Sequence, residues 1–503
     1  MSDFILLSVE QMKAAEAAAI NSGLSGAALM ESAGKGAAAV ITRAFDKRPT
    51  TVLCGPGANG GDGYVIARLL KAAGWEVRVA ALGKVEDLSG DAKLMADLYE
   101  GPIEPLSPSA LQGAGLIIDS LFGTGLSRPL DGPALETVNA VNGHPAPAIA
   151  IDLPSGVNAN SGEVMGAAIQ AARTVTFFRK KPGHVLFPGR ALCGALDIVD
   201  IGITPEVAQG VPVNTAENQP GLWANQFRRP TFQTHKYHRG HVFVVSGDTP
   251  YSGAARLSAR ASLRIGAGLV TILSPENAVD VHAAHLSAIM IRKLSAGQDI
   301  GSALARKDQY KEVFVVGPGL GVSNQTRDTV KAALQSSADV VLDADALSSF
   351  SDKRQTLLDQ LRPNDILTPH SGEFLRLFGD VDTDRLASAR VAAKRAGCVV
   401  VLKGADTIIA RPDGLTAINT NAPPDLATAG SGDVLAGLVA GLLAQGMPAF
   451  EAACAGVWFH GAAAQILGPG LTADDLPRAL PNVLRSLLNP PQTKQARQQL
   501  NPV

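Results

Sequence analysis

Gly55-Pro56-Gly57-Ala58-Asn59-Gly60-Gly61-Asp62-Gly63 lies between the run Thr51–Cys54 and the segment Tyr64–Ala73. The first run reads as a buried strand. In the second, Val65, Ile66, Leu69, Leu70 and Ala73 recur at helical spacing. A glycine-rich turn in that context can bring backbone amides to a helix N-terminus, where they cradle a pyrophosphate. A plain tight strand–helix turn is the alternative, because glycines serve that purpose too. The ordinary dinucleotide fold also places an acid at the end of the next strand, about 20 residues on. Here Glu76 opens that strand and Leu82 closes it.

Working outward, strand and helix signals alternate on both sides of this loop. Ser8 and Gln11 form a capping-box pattern for a first helix, and a second helical stretch runs over 25–45. Strands are expected at 76–82, 116–119, 148–152 and 174–178. The alternation predicts a parallel sheet with helices on both faces. From Ile203 to Asn225 the character changes: Pro205, Pro212 and Pro220 interrupt a stretch with little periodicity, which reads as a linker or boundary. Beyond it, strands are expected at 241–245, 269–273, 313–316, 340–343, 366–368, 399–403 and 407–410. Helices are expected over 253–265 and from about 432. The fold class is therefore α/β, with a Rossmann-like domain at 1–212 and a second α/β domain at 223–495. The Pro- and Gln-rich tail after Asn489 is expected to fray.

Composition narrows the function classes. Of 503 residues, 46% are hydrophobic and the net charge is -2, which excludes disorder as the main state. The balance of 44 basic against 46 acidic residues gives no footprint for nucleic acid. Four dispersed cysteines make neither a disulfide framework nor a zinc knuckle, so a reducing cytoplasmic location is expected. The stretches 434–450 and 452–473 carry no charged side chain apart from His460. They are interrupted by Gly446, Pro448 and the Gly468-Pro469-Gly470 turn, and are expected to be two buried helices rather than membrane spans.

Two further strand ends in the first half run into polar turns, Asp119-Ser120-Leu121-Phe122-Gly123-Thr124-Gly125 and Asp152-Leu153-Pro154-Ser155-Gly156. In a parallel sheet these turns share an edge with the first loop. Asn59, Asp119 and Ser155 can then converge as oxygen ligands for a hard cation, with Asp152 as a carboxylate base. A single aspartate at a strand end is also a common cap. Three aligned loops favour a site.

This half resembles the NAD(P)H-hydrate epimerase family, through Gln11-Met12, Leu29-Met30-Glu31, the loop at 55–63, the turn extended to Leu130, and Ile151–Gly156. The resemblance covers about residues 5–205 and implies interconversion of the R and S forms of hydrated NADH and NADPH. It implies substrate contacts at Ala58, Asn59, Gly60, Gly61 and Asp62. Further contacts fall at Gly123, Thr124, Gly125, Leu126, Ser127, Arg128, Pro129 and Asp152. It implies potassium at Asn59, Asp119 and Ser155. Ala58 stands where the family usually has Asn, so a lost hydrogen bond with a retained ion is expected.

In the second half, Gly317–Gly321, Thr368–Glu373 and Lys403–Thr407 follow strands. Thr428-Ala429-Gly430-Ser431-Gly432-Asp433 precedes a helix. The amides of Gly430, Ser431 and Gly432 can form an anion hole for a phosphoryl group, and Asp433 can deprotonate an attacking hydroxyl. An acid that merely complements the helix dipole is the alternative. No G-x-x-x-x-G-K-[ST] occurs, so a P-loop is excluded.

These motifs, with Tyr251–Ala255, resemble the ribokinase-like superfamily, and within it the ADP-dependent NAD(P)H-hydrate dehydratases. The resemblance spans about residues 225–490. It implies nucleotide contacts at Lys403, Gly404, Ala405, Asp406, Thr407 and Gly432. It implies hydrate contacts at Ala255, Gly319, Gly321, His370 and Asp433. Magnesium on the nucleotide, ADP as co-substrate, AMP and phosphate as products and a homo-oligomer follow from the same resemblance. Ala429 replaces a common Gly, and alanine resists positive φ. His235, His238 and His241 have a spacing that invites zinc, but an extended segment throws alternate residues apart, so a polar entry segment is expected. A vitamin or sugar kinase fused to a non-catalytic nucleotide-binding module is the alternative function.

Overall fold

The structure is a computed structural model that describes residues 4–204, 206–294, 300, 310–379 and 384–488. The tail expected to fray after Asn489 lies outside the described residues. The chain divides into two compact units, Met1–Glu217 and Asn218–Val503.

In the first unit the sheet has seven strands in the order Ile103–Pro105, Val77–Ala81, Thr50–Cys54, Leu116–Ser120, Ala148–Ile151, Arg173–Phe177, Ala195–Val199. Every neighbouring pair is parallel. This is the doubly wound order, whose switch point lies between Thr50–Cys54 and Leu116–Ser120. Ligands in such folds bind outside the carboxyl ends of the strands at that crevice. The edge strands Ile103–Pro105 and Ala195–Val199 escaped the sequence reading, because the first has only three residues and the second has no fully buried face.

The helix after the first strand runs Ala58–Ala72 and so begins six residues before Tyr64. Its glycines oppose the helix by propensity, but packing demands them. A Cβ at Gly60 would strike the Gly55 carbonyl. One at Gly63 would come within 2.8 Å of Cys54 Sγ and 2.9 Å of Ser120 Cβ. The helix start is thereby pressed onto the strand ends, which carries its first amides to the crevice.

In the second unit the strands run in the order Met290–Leu294, Leu269–Pro275, His241–Val245, Glu312–Val316, Asp339–Leu342, Ile366–Leu367, Val399–Leu402, Ile408–Ala410, Thr416–Ile418. The pairs through Val399–Leu402 are parallel. The last two pairs are antiparallel, which alternation alone did not predict. A strand joined to the next by only a few residues can return but cannot cross over. The expected linker also holds structure. Trp223, in the short helix Pro220–Trp223, is fully buried, its ring 5.6 Å from that of Trp458 and 5.4 Å from that of Phe459. The segment from Asn218 onward therefore belongs to the second unit's core.

The uncharged stretches form the buried helices Ser431–Ala444 and Ala449–Leu467. No helix among the described residues is long and apolar enough to cross a membrane. Small residues let Ser431–Ala444 lie against Ser252–Ile265. A Cβ at Gly437 would collide with the Ser258 carbonyl and one at Gly441 with Ile265. Ser262 Oγ donates to the Gly437 carbonyl at 2.8 Å, and Ser258 Oγ to that of Asp433 at 2.8 Å. Overpacking such a contact costs about 1–3 kcal/mol. Gly437→Val is therefore expected to lower the melting temperature by roughly 2–4 °C per kcal/mol lost, which differential scanning calorimetry would measure.

Candidate active sites

At the first unit's switch point lies a cavity of about 480 Å³. Its wall includes Asn59 and Asp62 from the glycine-rich helix start, Gly123 and Thr124 from the second turn, and Asp152 and Lys181. Leu126, Ser127, Arg128 and Pro129 lie outside this wall. So do Gly60 and Gly61, whose missing side chains instead admit the neighbouring backbone and Met30. Ala58 lines the cavity with a methyl side chain.

Asp152 sits at φ +67°, a left-handed conformation uncommon for a non-glycine residue. The strain, of order 1–3 kcal/mol, is offset by dense hydrogen bonding. Lys181 Nζ donates to Oδ1 at 2.6 Å, Thr176 Oγ1 to the same oxygen at 3.1 Å, and the Thr124 N–H to Oδ2 at 3.1 Å. Lys181 is 1% exposed and also meets Thr176 Oγ1 at 2.8 Å. Burial pushes the Asp152 carboxyl upward, but the Lys181 charge and hydrogen bond outweigh it and hold it below the usual range. His184 completes the arrangement. Its Nδ1 accepts the Lys181 N–H at 2.9 Å, so the proton sits on Nε2, 2.7 Å from the Asp152 carbonyl that accepts it. Burial, with Lys181 adding, lowers this imidazole to about 4, so it stays neutral.

Asp62 and Glu16 share the cavity wall with the opposite tendency. Burial pushes both carboxyls up, and the charge of Asp152 adds to the effect. The site thus sets one carboxyl shifted down beside two shifted up, a pattern typical of acid–base assignments.

Asp119 and Ser155 meet directly beneath these turns. Ser155 Oγ donates to Asp119 Oδ1 at 2.6 Å and its N–H to Oδ2 at 2.8 Å. Asp119 is fully buried, its other hydrogen-bond donor is the Leu121 N–H, and burial raises its carboxyl to about 6 despite the Ser155 bonds. Both amide atoms of Asn59 are buried without a hydrogen-bond partner. A Cβ on Gly123 would lie 2.7 Å from Asp152 Oδ2 and 3.3 Å from Asn59 Cγ, so that glycine keeps the two side chains close.

Sequence reasoning missed Lys181, Thr176 and His184. The available signal was the basic run Arg179-Lys180-Lys181, which follows the strand adjacent to the one ending at Asp152.

On the second unit, the carboxyl ends of the parallel strands carry the other constellation. Gly430, at φ +83°, caps Ser431–Ala444, while Ala429 has no positive φ, so the alanine imposes no backbone strain. Asp433 lies in that helix's first turn. Burial raises its carboxyl to about 6, the charge of Asp343 adds, and Lys403 opposes. Lys403 Nζ donates to Asp343 Oδ1 at 2.6 Å and lies 3.9 Å from Glu373 Oε2. Burial disfavours the Lys403 charge, but Asp343 and Glu373 outweigh burial and raise its pKa. Asp343 carried no role in the sequence reading, although it ends a strand on the same edge.

The neighbouring loops are built for close backbone approach. Gly319 and Gly321 adopt φ +70° and +77°, and the Gly321 N–H donates to Asp345 Oδ2 at 2.8 Å. Thr407 Oγ1 accepts from the Gly404 N–H at 3.2 Å and donates to its carbonyl at 2.9 Å, closing the 403–407 turn. Within that turn Asp406 pairs with Arg385, while Ala405 is exposed. His370 bridges to Lys403 in parallel and caps Ser371–Phe378, its Nδ1 accepting the Gly372 N–H at 3.0 Å. Ala255 is fully buried in the apolar core and presents no surface.

The histidine trio does not converge. The His235 and His238 rings lie with centroids 3.5 Å apart at a tilt of 34°, whereas His241 is buried with Nε2 2.8 Å from Thr271 Oγ1. Among the described residues no group of three His, Cys, Asp or Glu side chains is placed to hold a metal.

Fold and sites together define a Rossmann-ordered α/β unit followed by a second α/β unit with a mostly parallel sheet, each with acidic side chains and glycine-rich turns at the carboxyl ends of its strands. Residues 26–183 match the family described as YjeF-related protein N-terminus, and residues 242–483 match NAD(P)H-hydrate dehydratase. The bifunctional NAD(P)H-hydrate repair enzyme of Moorella thermoacetica is 37% identical over 91% of this chain and 92% of its own. That of Escherichia coli is 35% identical over 89% and 87%. A solved Bacillus subtilis ADP/ATP-dependent NAD(P)H-hydrate dehydratase, co-crystallised with ATP and Mg2+, is 28% identical. It covers 51% of this chain and 93% of its own, with a TM-score of 0.45. The chain belongs to the bifunctional NAD(P)H-hydrate repair enzymes.

Proposed function

We propose that the first unit interconverts the R and S hydrates of NADH and NADPH, and that the second dehydrates the S form at the expense of ADP, giving AMP and phosphate. The observation that carries this reading is the pairing, in one chain, of a buried Lys181–Asp152 couple at a doubly wound switch point with a left-handed Gly430 turn opening onto Asp433.

Inverting the hydroxyl-bearing ring carbon requires its C–O bond to break and re-form on the opposite face. Asp152, held ionised by Lys181, accepts the proton of the incoming water, and Asp62, whose carboxyl burial pushes up, donates to the departing oxygen. In the second unit Asp433 accepts the proton of the ring hydroxyl as that oxygen takes the terminal phosphoryl group of ADP. The amides of Gly430–Gly432 and the ammonium of Lys403 face the developing negative charge. The phosphorylated carbon then loses phosphate with a neighbouring proton, which restores the dihydronicotinamide. Lys403–Thr407 and Gly432 would hold the nucleotide, and Gly319, Gly321 and His370 would face the hydrate. Magnesium, entering with the nucleotide, would neutralise its phosphates.

Potassium fits the trio Asn59, Asp119 and Ser155. The orphaned amide supplies an oxygen, and among the described residues no cationic side chain is bonded to the buried Asp119 carboxylate. The ion would supply fixed positive charge beneath the turns that bind substrate. Exchanging N-methylglucamine chloride for potassium chloride at equal ionic strength is expected to raise the first unit's unfolding midpoint in the wild type and not in Asp119→Asn. An equal rise in both proteins removes the ion from this trio.

The decisive assay supplies S-hydrate and ADP to the full-length chain and follows recovery of reduced-nicotinamide absorbance. No recovery, with stable phosphorylation of a small alcohol instead, would establish the kinase alternative. A cytoplasmic homo-oligomer with no nucleic-acid or membrane partner is the accompanying expectation.

A further inference from the structure

A second, smaller cavity of about 180 Å³ lies in the second unit, lined by Arg228, Arg229, Thr234, His238, Arg239 and Gln445, with Pro230 completing the wall. Among the described residues it has three guanidinium groups and no carboxylate. Arg229 Nη2 donates to the Leu488 carbonyl at 3.1 Å. The guanidinium groups of Arg228 and Arg239 make no hydrogen bond and no ion pair among the described residues, and Arg239 Nε is buried without a partner.

The backbone makes room for these groups. Gly446 (φ +88°) and Gly266 (φ +127°) follow the ends of the helices Ser431–Ala444 and Ser252–Ile265. A Cβ at Gly446 would lie 3.3 Å from Arg228 Nη1, and one at Gly266 would lie 2.8 Å from Arg239 Nη2. Two guanidinium groups near two helix C-termini complement those dipoles to some degree. That role needs no cavity and would be met by hydrogen bonds to the terminal carbonyls, which neither group makes. Residues 489–503 carry Lys494 and Arg497 and no acidic side chain.

We infer that this pocket is a binding site for a phosphoryl dianion, separate from the catalytic edge. Arginine forks match phosphate oxygens two at a time, and a buried orphan donor calls for an acceptor. The cavity is below the ~300–1,000 Å³ of drug-sized ligand sites, so it takes a phosphate group and not a whole nucleotide. Its distance from the Gly430 turn is set by the helix between them. The 14 residues of Ser431–Ala444 span about 21 Å at ~1.5 Å per residue. The proposed dehydration releases free phosphate and a phosphate ester, and either could supply the group.

The test uses the full-length protein. Crystals soaked in selenate, a phosphate-shaped anion with an absorption edge, are expected to show an anomalous peak within hydrogen-bond reach of Arg228 and Arg239. In calorimetric titration with orthophosphate, Arg228→Gln/Arg239→Gln is expected to weaken one site at least tenfold while ADP-dependent turnover stays at the wild-type level. A selenate peak displaced by AMP assigns the ester as the ligand, and one displaced by orthophosphate alone assigns the free ion. Selenate confined to the Gly430–Asp433 turn, or phosphate binding identical in wild type and double variant, overturns the proposal.

Discussion

Asp152→Asn is expected to lower the interconversion of R and S hydrates by about 10²–10⁴-fold, the range for loss of a general base, while dehydration of pure S-hydrate proceeds at the wild-type rate. The substitution keeps the shape and an acceptor for Lys181 but removes the charge that takes the proton. The second unit carries its own acid and is untouched. Chiral chromatography of the two hydrates, with the absorbance assay run in parallel, separates the two outcomes. R-to-S conversion surviving in Asp152→Asn would remove Asp152 from the reaction.

Lys181→Met probes the same couple from the other side. Removing one member of a buried pair costs about 3–5 kcal/mol, because Asp152 would be left ionised with no cation. In the wild type the folded Asp152 pKa lies below its unfolded value near 3.9. Its contribution to stability is therefore fully present above about pH 4 and is lost as pH falls through the folded value. In Lys181→Met burial acts on Asp152 without its opposing cation, and the folded pKa moves above the unfolded one. The folded state then binds the extra proton, so the variant is expected to lose stability as pH rises from about 4. Urea unfolding across that pH range measures the reversal of slope. A slope like that of the wild type would mean that Lys181 does not set the state of Asp152.

The parts of this fold legible in the sequence were those with local causes. Buried strands such as Thr50–Cys54, and His241–Val245 beyond its first residue, are continuous apolar or β-branched runs, and the Ser8–Gln11 capping box is formed as the residues imply. The loops at strand ends were legible because glycine and aspartate cluster there. What stayed hidden depends on partners distant in sequence. Gly60, Gly61 and Gly63 oppose helix by propensity, and only Gly55, Met30 and Ser120 closing around the segment show why the helix starts there. Asp152 was legible as a strand-end acid. Its charge state was not, because that depends on a lysine 29 residues later that arrives from the neighbouring strand. Asp343 was hidden for the same reason. A strand-end aspartate becomes part of a site only when Lys403, 60 residues on, is brought to it.

Asp433→Asn is expected to lower ADP-dependent dehydration by about 10²–10⁴-fold and to leave epimerisation unchanged. If Asp433 served only the helix dipole, the same change would cost about 0.3–1 kcal/mol of stability and little activity. The pH profile separates these roles more sharply than the rate alone. With the Asp433 carboxyl at about 6, the base is protonated and idle below that value and ionised above it. The kcat/KM for S-hydrate is therefore expected to climb with pH through about 6, and the climb is expected to vanish in Asp433→Asn. Two neighbours fix the sign. Lys403 lowers the Asp433 pKa and Asp343 raises it. Asp343→Asn should therefore move the rising limb to lower pH. Lys403→Met should move it to higher pH, on top of whatever nucleotide affinity it loses. A general electrostatic weakening of the site would lower the profile without displacing its limb. Only a carboxylate that titrates between these two charges moves the limb in opposite directions when each is removed.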